Sequence, residues 1–373
     1  MQIKINTKDF ANALNIGGSM AGRAKGFPIL DYAEVKINGD NSCTILSYDG
    51  EIAIFKKAKI EYSGEAQPFC VNPKDLINIL KNIKDEYSYL NIENGNCEVN
   101  HNNGKISIPY LGIEDFPVIE RESDSVSIHV ESSELYDEIT NTTPFIVDDT
   151  LRPALSGINF AVKGESLQLS ATDSHVLYCN NIHVTNPNNE EVEAIVSIRA
   201  IRGILGVINR TEKTKISFGQ NNICFISDGA MLLCRRIVGK FPNVQSVIPT
   251  SNKVILELSR EEFTCAINRA ILASNNATQC LKFTIGDNAL TVSSEDTADN
   301  KRCEEKCVCN ISSADGNEVE KFTFAVKGTN LLTCIGAIDN DNIMLLLKDN
   351  RSAILLKDSN NENKSVLTMP LAV

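Results

Sequence analysis

The chain of 373 residues contains no run of about 18 apolar residues, the length a helix needs to cross a bilayer. That lack excludes a helical membrane span. The opening stretch MQIKINTKDF also lacks the apolar core of a signal peptide and reads as a strand followed by a helix start, so a cytoplasmic location is expected. Histidine is scarce, and the four at positions 101, 129, 175 and 183 form neither an HExxH nor an HxxEH pattern, which excludes the common metal-hydrolase signatures. Cations are in deficit: 36 Lys and Arg face 48 Asp and Glu, a formal charge of −12. A protein that coats nucleic acid by attraction draws its free energy from cations displacing counterions, so any DNA contact here has to be local. The twelve cysteines lack zinc-site spacing, since Cys303, Cys307 and Cys309 form the one close cluster and have no fourth ligand. Most others sit singly in apolar runs such as FC at 69–70 and LLC at 232–234, and read as buried reduced thiols. Cys307 and Cys309 read as one face of a strand. No cofactor and no metal are expected.

What the chain does have is a repeat. IKINTKDFANAL, from Ile3, returns as IHVESSELYDEI from Ile128 and as LELSREEFTCAI from Leu256. Phe10, Leu135 and Phe263 coincide, as do Leu14, Ile139 and Ile267, at the i, i+4 spacing of a helix's buried face. Ser259 and Glu262 have capping-box spacing. The same alignment superposes VNPKDLINIL, VSIRAIRGIL and FAVKGTNLLT. Leu76, Ile79, Leu80 and Ile83 make a stripe that Ile201, Ile204, Leu205 and Ile208 reproduce, while Leu331, Leu332, Ile335 and Ile338 serve in the third copy. Phe116-Pro117, Phe241-Pro242 and Met369-Pro370 close the copies, which gives domains at 1–121, 122–250 and 251–373 with polar joins at RESDSVS and PTSNK. Alternating segments such as INFAV and LQLSATD read as strands broken by Gly and Asn turns. Each copy is therefore an α+β domain whose helices cover one face of antiparallel sheet.

Little in this pattern is catalytic. GGSMAGRA at 17–24 approaches a phosphate-binding loop, but Arg23 and Ala24 stand where its lysine and metal-binding hydroxyl belong, and it follows a helix rather than a strand. Asp173, Ser174 and His175 are the ingredients of a hydrolase triad, yet neighbours in an extended segment point to opposite faces and cannot line up. Asp49, Asp173 and Asp296 end equivalent strands and suit turns. One electrostatic pattern remains, a cation at the same place in every second-helix frame: Lys74, Arg199 and Lys327. A single such cation is a solvated helix face. Three equivalent ones are expected to share a surface, to which Arg23, Lys25 and Arg202 add. The competing functions are a hydrolase using Asp173 and His175 or the cysteine cluster, and a repeated-domain adaptor that binds peptides without DNA.

FPIL after the basic loop 23–25, RPALSGI at 152–158, ATDSHVL at 171–177, GKFPNVQSVIP at 239–249 and the closing VLTMPLAV follow in order within this repeat. In them the chain resembles the bacterial sliding clamp family, the beta subunit of DNA polymerase III, from Met1 to Val373. The resemblance implies a non-enzymatic processivity factor built from three DNA-clamp domains per chain. Helices would line the inner face with antiparallel sheets outside, and a head-to-tail homodimer would close into a ring around duplex DNA of any sequence. Two helices in each of six domains, spaced ~10 Å, give a circumference of about 120 Å and an axis diameter of about 38 Å. Less ~10 Å for the helices, the hole is roughly 28 Å, which passes a duplex about 20 Å wide.

The resemblance also implies partners: the replicative polymerase, a clamp loader and repair proteins, bound through short hydrophobic peptides in a groove between the second and third domains. The matching positions are Leu155, Thr172, Ser174, His175, Val176, Leu177, Pro242, Ser246, Val247, Leu367, Met369, Pro370 and Leu371. An apolar pocket with few polar groups suits aromatic and leucine anchors. The family commonly has a glycine at Ser174 and arginines at Val176 and Ser246, so a less basic groove is expected here. Its tail often ends in an arginine and a leucine where Ala372 and Val373 lie. At the dimer contact Ile271 and Leu272 match an apolar pair, with Ile106 opposite; ordinary core packing is the competing account.

Overall fold

A computed structural model of the chain describes residues 1–123, 126–313, 319, 321–358 and 361–372. The sequence repeat recurs in its elements. Each copy opens with a strand and a helix, passes through a three-strand meander and a further strand into a second helix, and closes with another meander; the first copy adds the short strand Glu61–Ser63. The helices are α1 (Thr7–Gly17), α2 (Pro73–Lys81), α3 (Ser132–Thr142), α4 (Ile198–Val207), α5 (Arg260–Leu272) and α6 (Gly328–Gly336). Among the described residues no helix is long and apolar enough to cross a membrane.

Helices α1, α2, α4 and α5 start where the sequence supplies a cap. Asn6 Oδ1 accepts from the Asp9 amide ahead of α1, and Asn72 Oδ1 from the Lys74 and Asp75 amides ahead of α2. Ser197 Oγ accepts from Ala200 N, and Ser259 Oγ from Glu262 N. At the end of α1, Gly17 is required by close approach, since a Cβ there would lie 2.9 Å from Ile45. The buried faces are those the periodicity marks: Phe10 and Leu14, Leu135 and Ile139, Phe263 and Ile267.

The third second-helix departs from the expected frame. Ala325 and Val326 stay in the strand Thr323–Lys327, paired with Lys282 and Leu281, so α6 begins only at Gly328 with Lys327 as its cap residue. Leu331 and Ile335 are buried, Leu332 is half-buried, and Ile338 is buried beyond the helix end.

Two compact units make up the chain, each with a continuous antiparallel sheet. The first comprises Met1–Tyr136 and Val184–Arg236. Its strands run Glu61–Ser63, Gln2–Asn6, Tyr87–Glu93, Asn96–His101, Gly104–Leu111, Phe69–Val71, Ala33–Asn38, Ser42–Tyr48, Ile52–Lys59, Ala230–Ile237, Asn222–Ser227, Lys213–Phe218 and Val126–Glu131. Phe10, Leu14, Val35, Ile45, Leu76 and Leu90 belong to its main core. The second unit comprises Asp137–His183 and the chain from Ile237 onward. Its order is Gly157–Lys163, Ser166–Thr172, Val176–His183, Asn361–Thr368, Ile354–Asp358, Asn342–Leu347, Val254–Ser259, Lys301–Ser313, Ala289–Asp296, Cys280–Ile285 and Thr323–Lys327. Phe145 and Tyr178 join Phe263, Phe283 and Phe324 in its core.

Candidate functional site

The recurrent cations are not equivalent in the structure. Lys74 and Arg199 occupy the second position of α2 and α4, whereas Lys327 is the half-buried residue before α6. A cation in a helix's first turn opposes the helix dipole, so helix stability does not account for Lys74 or Arg199. Arg199 has a different reason to be there. Its Nη2 lies 2.5 Å from Asp49 Oδ2 and its Nη1 3.1 Å from Glu51 Oε2, and the Asp49 side chain is fully buried. The charge of Arg199 is therefore committed to the Asp49 turn. Arg23, Lys25, Lys74 and Arg202 are exposed, and they and Lys327 make no ion pair among the described residues.

The strand-end aspartates are turn residues as expected. Asp49 Oδ1 accepts from the amides of Glu51 and Ile52, Asp173 Oδ1 from those of His175 and Val176, and Asp296 Oδ1 from that of Ala298. With Asp173 turned onto the backbone, and Ser174 Oγ accepting from Arg152 Nη1 at 2.6 Å, the triad does not assemble. The cysteines are all free thiols, nine of them buried. Burial pushes Cys43, Cys70, Cys97 and Cys179 up to about 12 and Cys307 up to about 11, so these thiols stay protonated near neutral pH. Cys307 and Cys309 share the buried face of their strand.

The positions that the resemblance marks for a groove all lie in the second unit, some buried and some exposed. The strands Val176–His183 and Asn361–Thr368 pair with Val176 opposite Thr368 and Leu177 opposite Leu367. The Met369 amide continues the ladder to the carbonyl of His175 at 2.7 Å. Leu155, Thr172, Val176, Leu177 and Leu367 are buried. Thr172 Oγ1 donates to the Val176 carbonyl and accepts from the Ser174 amide, which fixes the turn above it. Ser174, His175, Pro242, Ser246, Val247 and Met369 are exposed, Val247 by 46% and Met369 by 38%; Pro370 and Leu371 are half-buried. Leu371 is held by a bridge to Ala325.

Two residues the sequence analysis did not list for the groove, Arg152 and Asp149, lie beside Ser174. Ser174 has φ +82°, the left-handed region that favours glycine, which is the physical reason a glycine suits this position. Its hydroxyl is held by Arg152, whose Nε also meets Asp149 Oδ2 at 2.7 Å. The Arg152 guanidinium, with the Leu151 amide, keeps the Asp149 carboxyl below the usual carboxylate range. The nearest cation to the groove turn is thus already partnered.

At the dimer positions Ile106 and Leu272 are exposed, Leu272 by 77%, while Ile271 packs on the core so closely that a Cβ on Gly328 would sit 2.6 Å from it. Core packing accounts for Ile271 and leaves Leu272 and Ile106 unexplained.

Three domain models of one family match the chain in succession: the DNA polymerase III beta subunit N-terminal domain at residues 1–120, its central domain at 129–243 and its C-terminal domain at 245–372. Among curated relatives, the beta sliding clamp of Pseudomonas aeruginosa is 20% identical over 373 residues, all of both chains, and that of Vibrio cholerae 22% identical over 361 residues, 95% of each. The crystal structure of the DNA polymerase III beta subunit from P. aeruginosa superposes over all of both chains with a TM-score of 0.93 at 19% identity. The sliding clamp of Bacillus subtilis covers 100% of this chain and 99% of its own at a TM-score of 0.89 and 18% identity. A P. aeruginosa sliding clamp bound to griselimycin superposes with a TM-score of 0.92 at 19% identity and full coverage of both chains.

Proposed function

The chain belongs to the DNA polymerase III beta-subunit family, and we propose from its residues how it works as a DNA sliding clamp, the processivity factor that encircles duplex DNA and tethers a polymerase to it. Two copies close head to tail into a ring whose inner face carries the helices. The observation that carries this reading is the single plan of strand, helix and meander repeated three times along a chain that the three domain models cover almost end to end. Lys74, Arg202, Arg23, Lys25 and Lys327 supply the local attraction to phosphate, and Arg199 contributes to the fold instead. A ring holds DNA by topology, so a weakly cationic lining suffices, and the net charge of −12 discourages side-on binding elsewhere.

The protein is in this reading a non-catalytic, cytoplasmic subunit of a complex whose activity is DNA-directed DNA synthesis, and it needs no cofactor of its own. Polymerase, loader and repair partners dock extended peptides over the Leu177–Leu367 floor, gripping Met369, Val247 and Pro242. With Val176 and Ser246 in place of cations and Arg152 held by Asp149, the groove favours apolar anchors over acidic residues. The test is retention on DNA. Protein loaded on a nicked circular plasmid is expected to stay bound through gel filtration and to be lost once one restriction cut linearises the circle. Equal loss from circle and line ends the reading.

A further inference from the structure

The groove at Leu177 and Leu367 has an internal counterpart in the first unit. There the strands Ile52–Lys59 and Ala230–Ile237 pair with Ala53 opposite Leu233, as Leu177 lies opposite Leu367. The turn before the strand is matched as well, with Gly50 at φ +99° where Ser174 has +82°. A 3-10 turn, Pro28–Asp31, stands where Pro153–Leu155 does, and Phe116-Pro117 stands where Phe241-Pro242 does. The sequence pointed to this place through its first Phe-Pro pair, which the clamp reading leaves without a role.

A cavity of about 550 Å³ opens beside it, on the face of the first repeat's sheet opposite the buried Val35 and Ile45. Leu46, Phe55, Phe116 and Val118 are among its apolar walls, and Val118 is 88% exposed. Its charged lining is Glu34, Glu114 and Lys36. Glu34 makes no hydrogen bond or ion pair among the described residues. Burial pushes its carboxyl up, and Lys36 offsets only part of that. The Glu114 carboxylate lies back over Gly112, where a Cβ would come within 2.0 Å of its oxygen. Two carboxylates against one ammonium leave the cavity short of a cation, next to apolar walls large enough for a ring or a leucine.

We propose that this cavity is a second peptide-docking site, taking an extended partner segment with one aromatic or leucine anchor followed by lysine or arginine. The anchor fills the space between Phe55 and Phe116, and the cation meets Glu34 and Glu114. The Met369 groove, with Val176 and Ser246 in place of cations, selects by apolar anchors, whereas this cavity adds a demand for a cation, so the two sites select different peptides. The proposal borrows its peptide chemistry from the reading of the Met369 groove, while the walls and carboxylates are independent of it.

The probe is fluorescein-labelled acetyl-Gly-Leu-Phe-Lys-Gly-amide, with a second version carrying Glu in place of Lys. Binding is followed by anisotropy on full-length protein with Met369→Ala and Leu371→Ala, which removes the other groove's anchors. Saturable binding of the Lys probe is expected on that background. Val118→Asp is expected to weaken it at least tenfold, and Glu34→Lys to reverse the preference to the Glu probe. Circular dichroism melts confirm that the variants fold. The proposal is overturned by no saturable binding on the double-variant background, or by affinity that Val118→Asp and Glu34→Lys leave unchanged. It is equally overturned if the patch mediates self-association, seen as a concentration-dependent mass that Val118→Asp abolishes. Loss of the Met369 groove reading alone would show as unchanged binding of partner peptides to the Met369, Leu371 variant, and leaves these outcomes as they stand.

Discussion

Arg199 lies one turn before Arg202 on α4, and the two arginines face different electrostatic surroundings. Arg199 is paired with a fully buried Asp49 carboxylate and with Glu51; Arg202 is exposed and makes no ion pair among the described residues. Arg199→Ala leaves Asp49 with its backbone donors alone. Breaking a fully buried pair costs about 3–5 kcal/mol. Because half of the Arg199 side chain is exposed, screening reduces this to about 1–2 kcal/mol. The expected outcome is a lower urea midpoint for Arg199→Ala with DNA affinity nearly unchanged. Arg202→Ala should leave the midpoint alone and reduce the salt dependence of DNA binding by about one counterion. The sequence analysis assigned both to one cationic surface, Arg199 by its recurrence and Arg202 as an addition. Nothing local in the sequence says that Asp49, far away in the chain, accepts one guanidinium and not the other.

At the scale of elements, the apolar stripes made helix positions readable, as at Leu76 with Leu80 or Ile201 with Ile204, and the capping-box spacing of Ser259 and Glu262 did the same for α5. The third frame misled because strand pairing of Ala325 and Val326 overrides helical spacing, and no side chain there caps an earlier start. A stronger tie in that copy went unseen. Lys364 is buried in the strand Asn361–Thr368, and its Nζ donates to the Ala337 carbonyl at the end of α6 at 3.1 Å. The same ammonium meets Asp339 Oδ2 at 2.9 Å and the buried Asp358 Oδ2 at 3.5 Å. It thus pins the end of α6 to the strand that leads into Met369. Lys364→Met takes the ammonium away from the buried Asp358 carboxylate, which keeps the bond from Asn340 Nδ2, so a loss of about 3–5 kcal/mol is expected. Adding Asp358→Asn removes that buried charge and should restore at least half of the loss, read from urea midpoints of both variants. An unchanged midpoint in Lys364→Met would mean that the lysine is not holding the two elements together.

Over the whole molecule, the threefold repeat was legible because each copy carries its own helical stripes, strand alternation and closing proline. The division into units was not, because it follows strand pairings between distant segments: Val126–Glu131 joins Lys213–Phe218, while Val176–Cys179 joins Ser365–Thr368. The ring proposed above would close through edges of the same kind. Residues 104–109 pair only with Asn96–His101, and residues 301–308 only with Ala289–Asp296, among the described residues. Open edges with apolar neighbours are templates for another chain. Ile106 lies on the first edge, 40% exposed; Val308 lies on the second, 76% exposed, and Leu272, at the end of α5, is exposed as well. A head-to-tail pair closes through two identical contacts, so one substitution is felt twice. If each contact buries one leucine worth ~2 kcal/mol, Leu272→Asp raises the dimer dissociation constant by about a thousandfold, measured by sedimentation equilibrium. Its exposure means that the monomer should melt as the parent does. Leu151→Asp, at a residue 91% exposed and off both edges, should leave the dimer intact. Equal dimer affinity in Leu272→Asp and the parent would remove this surface from the ring closure, and with it the geometric basis for holding DNA by topology.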